Sequence, residues 1–170
     1  WEIQASGTPI SGGFVAVGTG SGVDFSDPAA AQTALAANFT QFGAASDFGG
    51  AAAFNLNGFF SGVASGDGGS ADFSGKPIWL VGGDGTGIAD SAHLFVIDTG
   101  ATFEADAPLF AASVDVNSGT PALGAAGGTA VAAGVAGAFQ AAPVGVVIPE
   151  TGVSVLALFA AGFLALRRRR

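Results

Sequence analysis

The sequence predicts a mainly β protein: a small sandwich-like or β-rich α+β domain with one amphipathic helix, followed by a C-terminal transmembrane helix. Three observations support this prediction. Short apolar runs separated by Gly, Asp and Ser recur along most of the chain, which is typical of short strands joined by tight turns. One segment combines a helix cap with a helical apolar stripe. The last residues form an uncharged apolar run that ends in four arginines.

The chain begins with a pattern that predicts a β-hairpin. Apolar and polar residues alternate over Trp1–Gln4, Ser6–Pro9 has the composition of a turn, and Gly13–Val17 is typical of a returning strand. The glycine-rich stretch Gly18–Gly22 is not followed by a lysine. We therefore interpret it as a flexible loop and not as a phosphate-binding loop.

The helix is predicted directly after this loop. Ser26 or Asp27 can cap it, and Pro28 suits the first helical position. The apolar residues that follow are spaced by four, four and three positions, which places them on one stripe: Ala31, Leu35, Phe39 and Phe42. Gly43 is a natural stop. We expect this helix to cover one face or one end of a sheet.

Further strands are predicted from apolar runs between turn residues, at Ala51–Ala64, Ile78–Val81, Ala92–Ile97 and Pro108–Val116. After Gly119 the composition narrows to Ala, Gly and Val. A last strand is predicted within Thr129–Phe139, and Gln140–Val147 is interpreted as a spacer.

The charge distribution restricts the possible partners. The chain of 170 residues has thirteen acidic residues and five basic ones, and four of the five are the C-terminal arginines. Lys76 is thus the only Lys or Arg before the tail, which argues against nucleic acid as a partner. Cysteine is absent, which excludes disulfides, thiolate metal sites and cysteine nucleophiles. Methionine is also absent and the first residue is Trp1, so we expect that a secretory signal peptide was removed.

The C-terminal segment is an apolar run bounded by two polar signals. The fifteen residues Gly152–Leu166 are uncharged, and as a helix they reach about 22 Å at 1.5 Å per residue, against a hydrocarbon core of about 30 Å. Such a segment spans only with local thinning or help from its flanks. Arg167–Arg170 lie where a cytoplasmic anchor is expected, so the N-terminal part should face outward.

Pro149, Glu150 and Thr151, followed by the short apolar run and Arg167, Arg168, Arg169 and Arg170, resemble the PEP-CTERM sorting signal. Thr151 stands where that family usually has a second proline. The resemblance covers only the last twenty-odd residues. It implies processing by an exosortase, a membrane-embedded cysteine transpeptidase of Gram-negative bacteria.

A second sorting system remains as an alternative. Ile148–Gly152 differs by one residue from the Leu-Pro-x-Thr-Gly signal, which Gram-positive sortases cut between Thr and Gly. No lysine- or proline-rich wall-spanning region precedes the motif, and the basic tail contains only arginine. These two features favour the exosortase interpretation.

Catalytic residues are scarce. Leu94–Ala101 places Asp98-Thr99-Gly100 after an apolar strand, as in aspartic proteases, but that chemistry needs two carboxylates, and the triplet occurs once. His93 is the only histidine, so it is the only possible base for a serine hydrolase, and no Gly-x-Ser-x-Gly motif accompanies it. Calcium ligands are conceivable among the turn aspartates, although none has regular EF-hand spacing: Asp67, Asp72, Asp84 and Asp90.

The sequence therefore predicts a non-enzymatic exported protein of the bacterial surface or extracellular matrix, without cofactor or metal. Its parts are an exported β-rich domain (1–118), an Ala/Gly-rich last strand and spacer (119–147) and the sorting signal (148–170). The expected partners are an exosortase-like transpeptidase, the inner membrane during sorting, and exopolysaccharide. The alternatives are a carbohydrate- or calcium-binding β-sandwich module, and a secreted hydrolase that uses Asp98 or His93.

Overall fold

The computed structural model describes residues 1–50, 53, 55–104 and 119–145. These residues form a mainly β structure with one short helix, which confirms the predicted class at this level. The strands are β1 (Glu2–Ala5), β2 (Thr8–Pro9), β3 (Phe14–Thr19), β4 (Thr40–Gln41), β5 (Ser46–Asp47), β6 (Pro77–Gly83), β7 (His93–Thr102), β8 (Thr120–Leu123), β9 (Ala125–Ala126) and β10 (Ala138–Pro143), and the helix is α1 (Pro28–Asn38).

The strands belong to one mixed sheet, whose main path runs β2-β1-β10-β7-β6-β3-β4. Its centre is antiparallel: β3 pairs with β6, and β6 pairs with β7. The β1–β10 pair is parallel, with Glu2 opposite Ala138. The first strand of the chain therefore lies beside the last described strand, so this part of the sheet joins residues far apart in sequence.

Both faces of the central strands are buried, because neighbouring residues alternate between two apolar clusters. On β7, Phe95 and Ile97 belong to the first cluster, whereas Leu94 and Val96 belong to the second. The first cluster also receives Ile3 and Phe139 from the β1–β10 pair, and the second receives Leu35 from α1. The helix therefore covers one face of the sheet, as predicted.

One edge of β7 is shared by two strands. The start of β7 pairs with the end of β10, at Leu94 and Ala142, and its middle pairs with β8, at Val96 and Leu123. Beyond Leu94, β8 replaces β10 as the neighbour of β7 on this edge. The part of β10 that is no longer paired with β7 contains Phe139. The centroids of the Phe139 and Phe95 rings are 6.0 Å apart, so the two parts of the sheet pack together across these rings.

Four predictions about individual elements need correction. β3 pairs with β6 and not with β1, because β1 turns into the two-residue β2. No strand forms among the described residues of Ala51–Ala64, where 55–58 form a turn. β7 does not end at the Asp98-Thr99-Gly100 triplet but continues to Thr102 with extra residues opposite β6. Finally, β10 occupies Ala138–Pro143. Most of the strand predicted within Thr129–Phe139 is therefore loop, and the start of the spacer predicted at Gln140–Val147 is part of the sheet. Pro108–Val116 lies outside the described residues.

The helix starts as predicted and ends at Asn38, before the predicted stop at Gly43. Asp27 caps it, and the Asp27 carboxylate accepts the N–H groups of Ala29 and Ala30 at 2.9 and 3.2 Å. The helix ends at Asn38 because the chain then becomes extended to pair with β3: Phe42 N–H donates to Val17 O.

Replacing Asp27 by alanine is expected to lower the free energy of unfolding by about 1 kcal/mol, since two N–H groups of the first turn lose their acceptor. Asp27→Asn is the matched control, because asparagine is an equally good cap. Urea denaturation followed by circular dichroism measures both. Equal stability of the alanine and asparagine variants would show that the cap contributes nothing.

Candidate functional site

Three polar side chains meet at the end of the sheet where β6 stops and β7 begins. Asp84 directly follows β6, and His93 is the first residue of β7. Ser6 lies in the tight turn between β1 and β2, which reaches the same place because β1 pairs with β10 and the end of β10 pairs with the start of β7. The fold therefore brings His93 together with Asp84, nine positions before it, and with Ser6, 87 positions before it.

Asp84 and His93 are held against each other by three hydrogen bonds. Asp84 Oδ1 accepts the backbone N–H groups of Ala92 and His93 at 2.8 and 2.9 Å, and Asp84 Oδ2 is 2.8 Å from His93 Nδ1. The two side chains are 27% and 21% exposed. Burial by itself raises the pKa of Asp84, but the backbone and side-chain hydrogen bonds with His93, the N–H of Ala92 and the positive charge that His93 can carry bring that pKa below its usual value.

These contacts determine how the imidazole ring of His93 is protonated. The ionised carboxylate of Asp84 has no proton to donate, so His93 Nδ1 must carry the proton of that hydrogen bond. In the neutral ring, Nε2 is then a bare acceptor. Ser6 Oγ lies 3.0 Å from His93 Nε2, so the Ser6 hydroxyl donates to it.

Ser6 has an uncommon backbone conformation. Its φ is +51°, and that of Gly7 is +80°, which matches a two-residue hairpin turn with both central residues left-handed. Positive φ costs a non-glycine residue about 1–2 kcal/mol. Ser6 is exposed, so its hydroxyl is presented to solvent on a sharp turn while it contacts His93.

An open groove lies beside the β1–β2 turn, where it is lined by Ala5 and Thr8, the residues that flank Ser6 and Gly7. A depression of about 280 Å³ is formed by residues 8–13 with Ala5 and Asp84. It adjoins a second depression of about 510 Å³ that shares Gly12, Gly13 and Asp84 and adds Asp47 and Asp90. A Cβ atom at Gly13 would come within 2.0 Å of Gly83 O, so the floor of the groove requires glycine at this crossing.

A chain of hydrogen bonds connects the Ser6 turn to polar side chains of β1 and β10. Gly7 N–H donates to Gln140 Oε1 at 3.1 Å, and Gln140 Nε2 donates to Gln4. The Gln4 amide in turn donates to the carboxylate of Glu2, which is only 1% exposed. Val131 and Ala132 donate their backbone N–H groups to the same carboxylate at 2.9 and 2.7 Å.

The loop that carries Asp84 is fixed by the helix. The buried Gln32 of α1 donates from Nε2 to Ile88 O and Ser91 O, both at 2.8 Å. Within the loop, Asp90 accepts the N–H and hydroxyl of Thr86. The helix and the hydrogen bonds within the loop therefore together fix the positions of Asp84 and His93.

The other residues selected from the sequence lie elsewhere or serve local structure. Asp98 accepts the N–H of Gly100, within the irregular end of β7. Asp67 accepts the N–H of Gly69 in its own turn. In the part of the chain that the structure describes, no three His, Asp or Glu side chains are arranged to hold a metal ion. The predicted sorting residues are outside the described ranges: Pro149, Glu150, Thr151, Arg167, Arg168, Arg169 and Arg170.

Sequence reasoning named His93 as the only candidate base but did not assign Ser6 or Asp84 to it. No local motif could have done so, because the three residues lie on separate turns. The available signals were weak: a serine in a turn, an aspartate after a strand, and the only histidine of the chain.

Comparisons with protein families, curated proteins and solved structures found no match to this chain. Among residues 1–50, 53, 55–104 and 119–145, no helix is long and apolar enough to cross a membrane.

Proposed function

We propose that this chain is an exported protein of the bacterial surface or extracellular matrix, sorted through its C-terminal segment by an exosortase-like transpeptidase. The observation that carries the proposal is the order of three features: Pro149-Glu150-Thr151, the uncharged run Gly152–Leu166, and Arg167–Arg170. A transmembrane helix over the apolar run would hold the chain in the inner membrane until the transpeptidase acts.

The composition of the preceding residues supports export. Lys76 is the only Lys or Arg outside the tail, and the chain has no cysteine, so it needs no redox chemistry to fold. The packing of Phe95 against Phe139 fits a sandwich-like exported domain. An acidic surface of this kind suits a hydrated matrix, and we propose exopolysaccharide as its partner there.

The prediction of a non-enzymatic protein was based on the lack of a catalytic constellation in the sequence. His93 contacts both Ser6 and Asp84, an arrangement that the sequence did not reveal, and the non-enzymatic character stays a prediction. The proposed location and processing do not depend on it. They are carried by the tail alone.

The processing proposal is tested by the intact mass of the mature protein from the cells that produce it. We expect a mass that lacks the arginine tail, because cleavage separates the domain from the apolar run. Replacing all four arginines by glutamine removes the cytoplasmic anchor and should leave unprocessed protein. Lys76→Gln, which removes the other basic residue, is the matched control and should be processed normally.

Two outcomes would contradict the proposal. Mature wild-type protein that still carries Arg170 would show that the tail is not removed. A new C-terminus at Thr151 would indicate a sortase-type cut between Thr151 and Gly152. It would then assign the protein to a Gram-positive and not a Gram-negative cell envelope.

A further inference from the structure

We propose that Ser6, His93 and Asp84 form a nucleophilic triad, in which Ser6 attacks a small, uncharged carboxylic ester bound in the groove beside the β1–β2 turn. This inference is independent of the sorting proposal, because it rests on described residues outside the C-terminal segment. It assigns an acyl-transfer activity to a chain in which the sequence alone showed none.

The first argument is the direction of the two hydrogen bonds. Asp84 fixes the proton on His93 Nδ1, which leaves His93 Nε2 to accept the hydroxyl proton of Ser6 at 3.0 Å. A serine nucleophile needs this arrangement: a base within hydrogen-bonding distance, and a third group that orients the base. The reverse tautomer would leave no acceptor for the serine proton.

The second argument is the support of the orienting carboxylate. Asp84 Oδ1 accepts two backbone N–H groups, so its position does not depend on the histidine contact. These bonds keep the carboxylate ionised and aimed at the ring. Asp84 is therefore a positioning residue, whereas Ser6 and His93 are the groups that would touch the substrate.

The third argument is the strained turn. Ser6 is exposed and left-handed, at φ +51°, on a turn where asparagine or glycine would be easier to accommodate. Residues held in such conformations are concentrated at functional sites. Here the hydroxyl contacts His93 while Ser6 remains exposed to solvent.

The reaction that this geometry supports is ester hydrolysis in two steps. Ser6 Oγ forms a bond to the ester carbonyl carbon and its proton passes to His93 Nε2. The bond between that carbon and the alcohol oxygen then breaks, and the proton moves from Nε2 to the leaving alcohol. Water repeats the sequence on the acyl-serine and releases the carboxylic acid, so that ester and water give acid and alcohol.

The groove indicates which esters fit. It is open, its floor is glycine, and Pro9 and Ile10 are among the residues that line it. Asp47 and Asp90 line the adjoining depression and would repel an anionic acyl group. These features favour a short, uncharged ester.

Gly7 limits the rate that we expect. The N–H that follows a serine nucleophile is a common donor to the developing oxyanion, but Gly7 N–H is occupied by Gln140 Oε1. Catalysis without such a donor is slower by about 10²–10³-fold. A strongly electrophilic phosphonate is therefore a better first probe than an ordinary ester.

The experiment uses a fluorophosphonate probe on the whole 170-residue chain, purified without a histidine tag in mild detergent. Peptide mass spectrometry is expected to find the adduct on Ser6. Labelling should be abolished in Ser6→Ala and in Ser6→Asn, which keeps the left-handed turn. It should fall by about 100-fold or more in His93→Gln, because a general base contributes about 10²–10⁴-fold. Ser74→Ala, at an exposed serine that lines neither depression, is the matched control and should label normally.

The positioning role of Asp84 is tested by a measurement that a purely structural role would not affect, namely the tautomer of His93. His93 is the only histidine, so its ring nitrogens give one pair of signals in a ¹⁵N-correlated spectrum of the chain. We expect the Nδ1-protonated tautomer in the wild type. In Asp84→Asn the side-chain amide donates to the ring, and the tautomer should switch while labelling falls by about 100-fold or more.

Three results would overturn the proposal. The first is wild-type labelling no greater than that of folded Ser6→Ala or Ser6→Asn. The second is equal labelling rates in the wild type and a folded His93→Gln variant, which would show that the ring is not the base. The third is a wild-type spectrum with the proton on Nε2.

Discussion

Replacement of Phe95 by alanine is expected to lower the free energy of unfolding by about 3–5 kcal/mol. Phe95 is fully buried at the centre of the first apolar cluster, between the rings of Phe48 and Phe139 at centroid distances of 6.1 and 6.0 Å. Its removal leaves a cavity between the two parts of the sheet. Since small domains are stable by about 5–15 kcal/mol, this loss is a large fraction of the total stability.

Urea denaturation followed by circular dichroism measures this loss. Phe73→Ala is the matched control, because Phe73 is a half-buried ring in a separate aromatic cluster with Phe42 and Phe103. It should cost clearly less. A Phe95→Ala variant no less stable than Phe73→Ala would contradict the central position assigned to Phe95.

The glycine opposite Phe95 offers a second check of the same packing. Gly82 pairs with Phe95 across β6 and β7, and a Cβ atom at Gly82 would lie 2.5 Å from the Phe95 ring. Gly82→Ala should therefore destabilise the wild type more than it destabilises Phe95→Ala. The coupling should be on the order of 1–2 kcal/mol in a double-mutant cycle. Additive losses would mean that the ring does not lie over Gly82.

Replacement of Glu2 by glutamine is expected to cost about 2–3 kcal/mol at neutral pH. The buried carboxylate accepts three hydrogen bonds, from the Gln4 side chain and from the N–H groups of Val131 and Ala132. A glutamine side chain has one acceptor oxygen and would turn its amide hydrogens toward one of these donors. The segment before β10 would then lose part of its attachment to β1.

The same carboxylate makes stability depend on pH. Burial by itself raises the pKa of Glu2, but the three hydrogen bonds outweigh it, and the pKa lies below its usual value of 4.5. The folded state therefore binds this proton less readily than the unfolded state. The contribution of Glu2 is complete above about pH 4.5 and is lost as the pH falls through the lower pKa of the folded state.

The measurement is urea denaturation of the wild type and Glu2→Gln between pH 3 and 7. The difference in unfolding free energy should be largest near neutral pH and shrink in acid. Glu104→Gln, at an exposed glutamate, is the matched control and should lose clearly less stability than Glu2→Gln at neutral pH. A pH-independent difference between Glu2→Gln and wild type would contradict the charged state assigned to Glu2.

The sequence predicts those elements whose own residues carry the signal. β6 was found because Ile78–Val81 is a compact apolar run, and the start of α1 was found because Asp27 and Pro28 fit cap and first-turn positions. The position of β10 was predicted wrongly because its alanines show no hydrophobic periodicity. The segment is a strand because β1 and β7 supply the pairing. The stripe of α1 continues to Phe39 and Phe42, but pairing with β3 overrides it.

The candidate site could not be predicted for a similar reason. His93 was visible as the only histidine, whereas the roles of Ser6 and Asp84 exist only after β1 is placed beside β10 and β10 beside β7. No spacing in the sequence encodes that juxtaposition. The proposed sorting signal is the opposite case, because all of its residues are contiguous in the sequence.

The parallel pairing of β1 with β10 has a consequence for the order of folding. A chain that emerges N-terminus first presents β1 at once, but the partner of Glu2 is Ala138, which emerges only after almost the whole domain. Closing so long a loop is entropically costly until the central strands have formed. The contact between Ser6 and His93 therefore forms late, because it depends on β10, whose last residue is nine positions before Gly152. On the proposed export route, completion of the domain would coincide with the arrival of the chain at the sorting machinery.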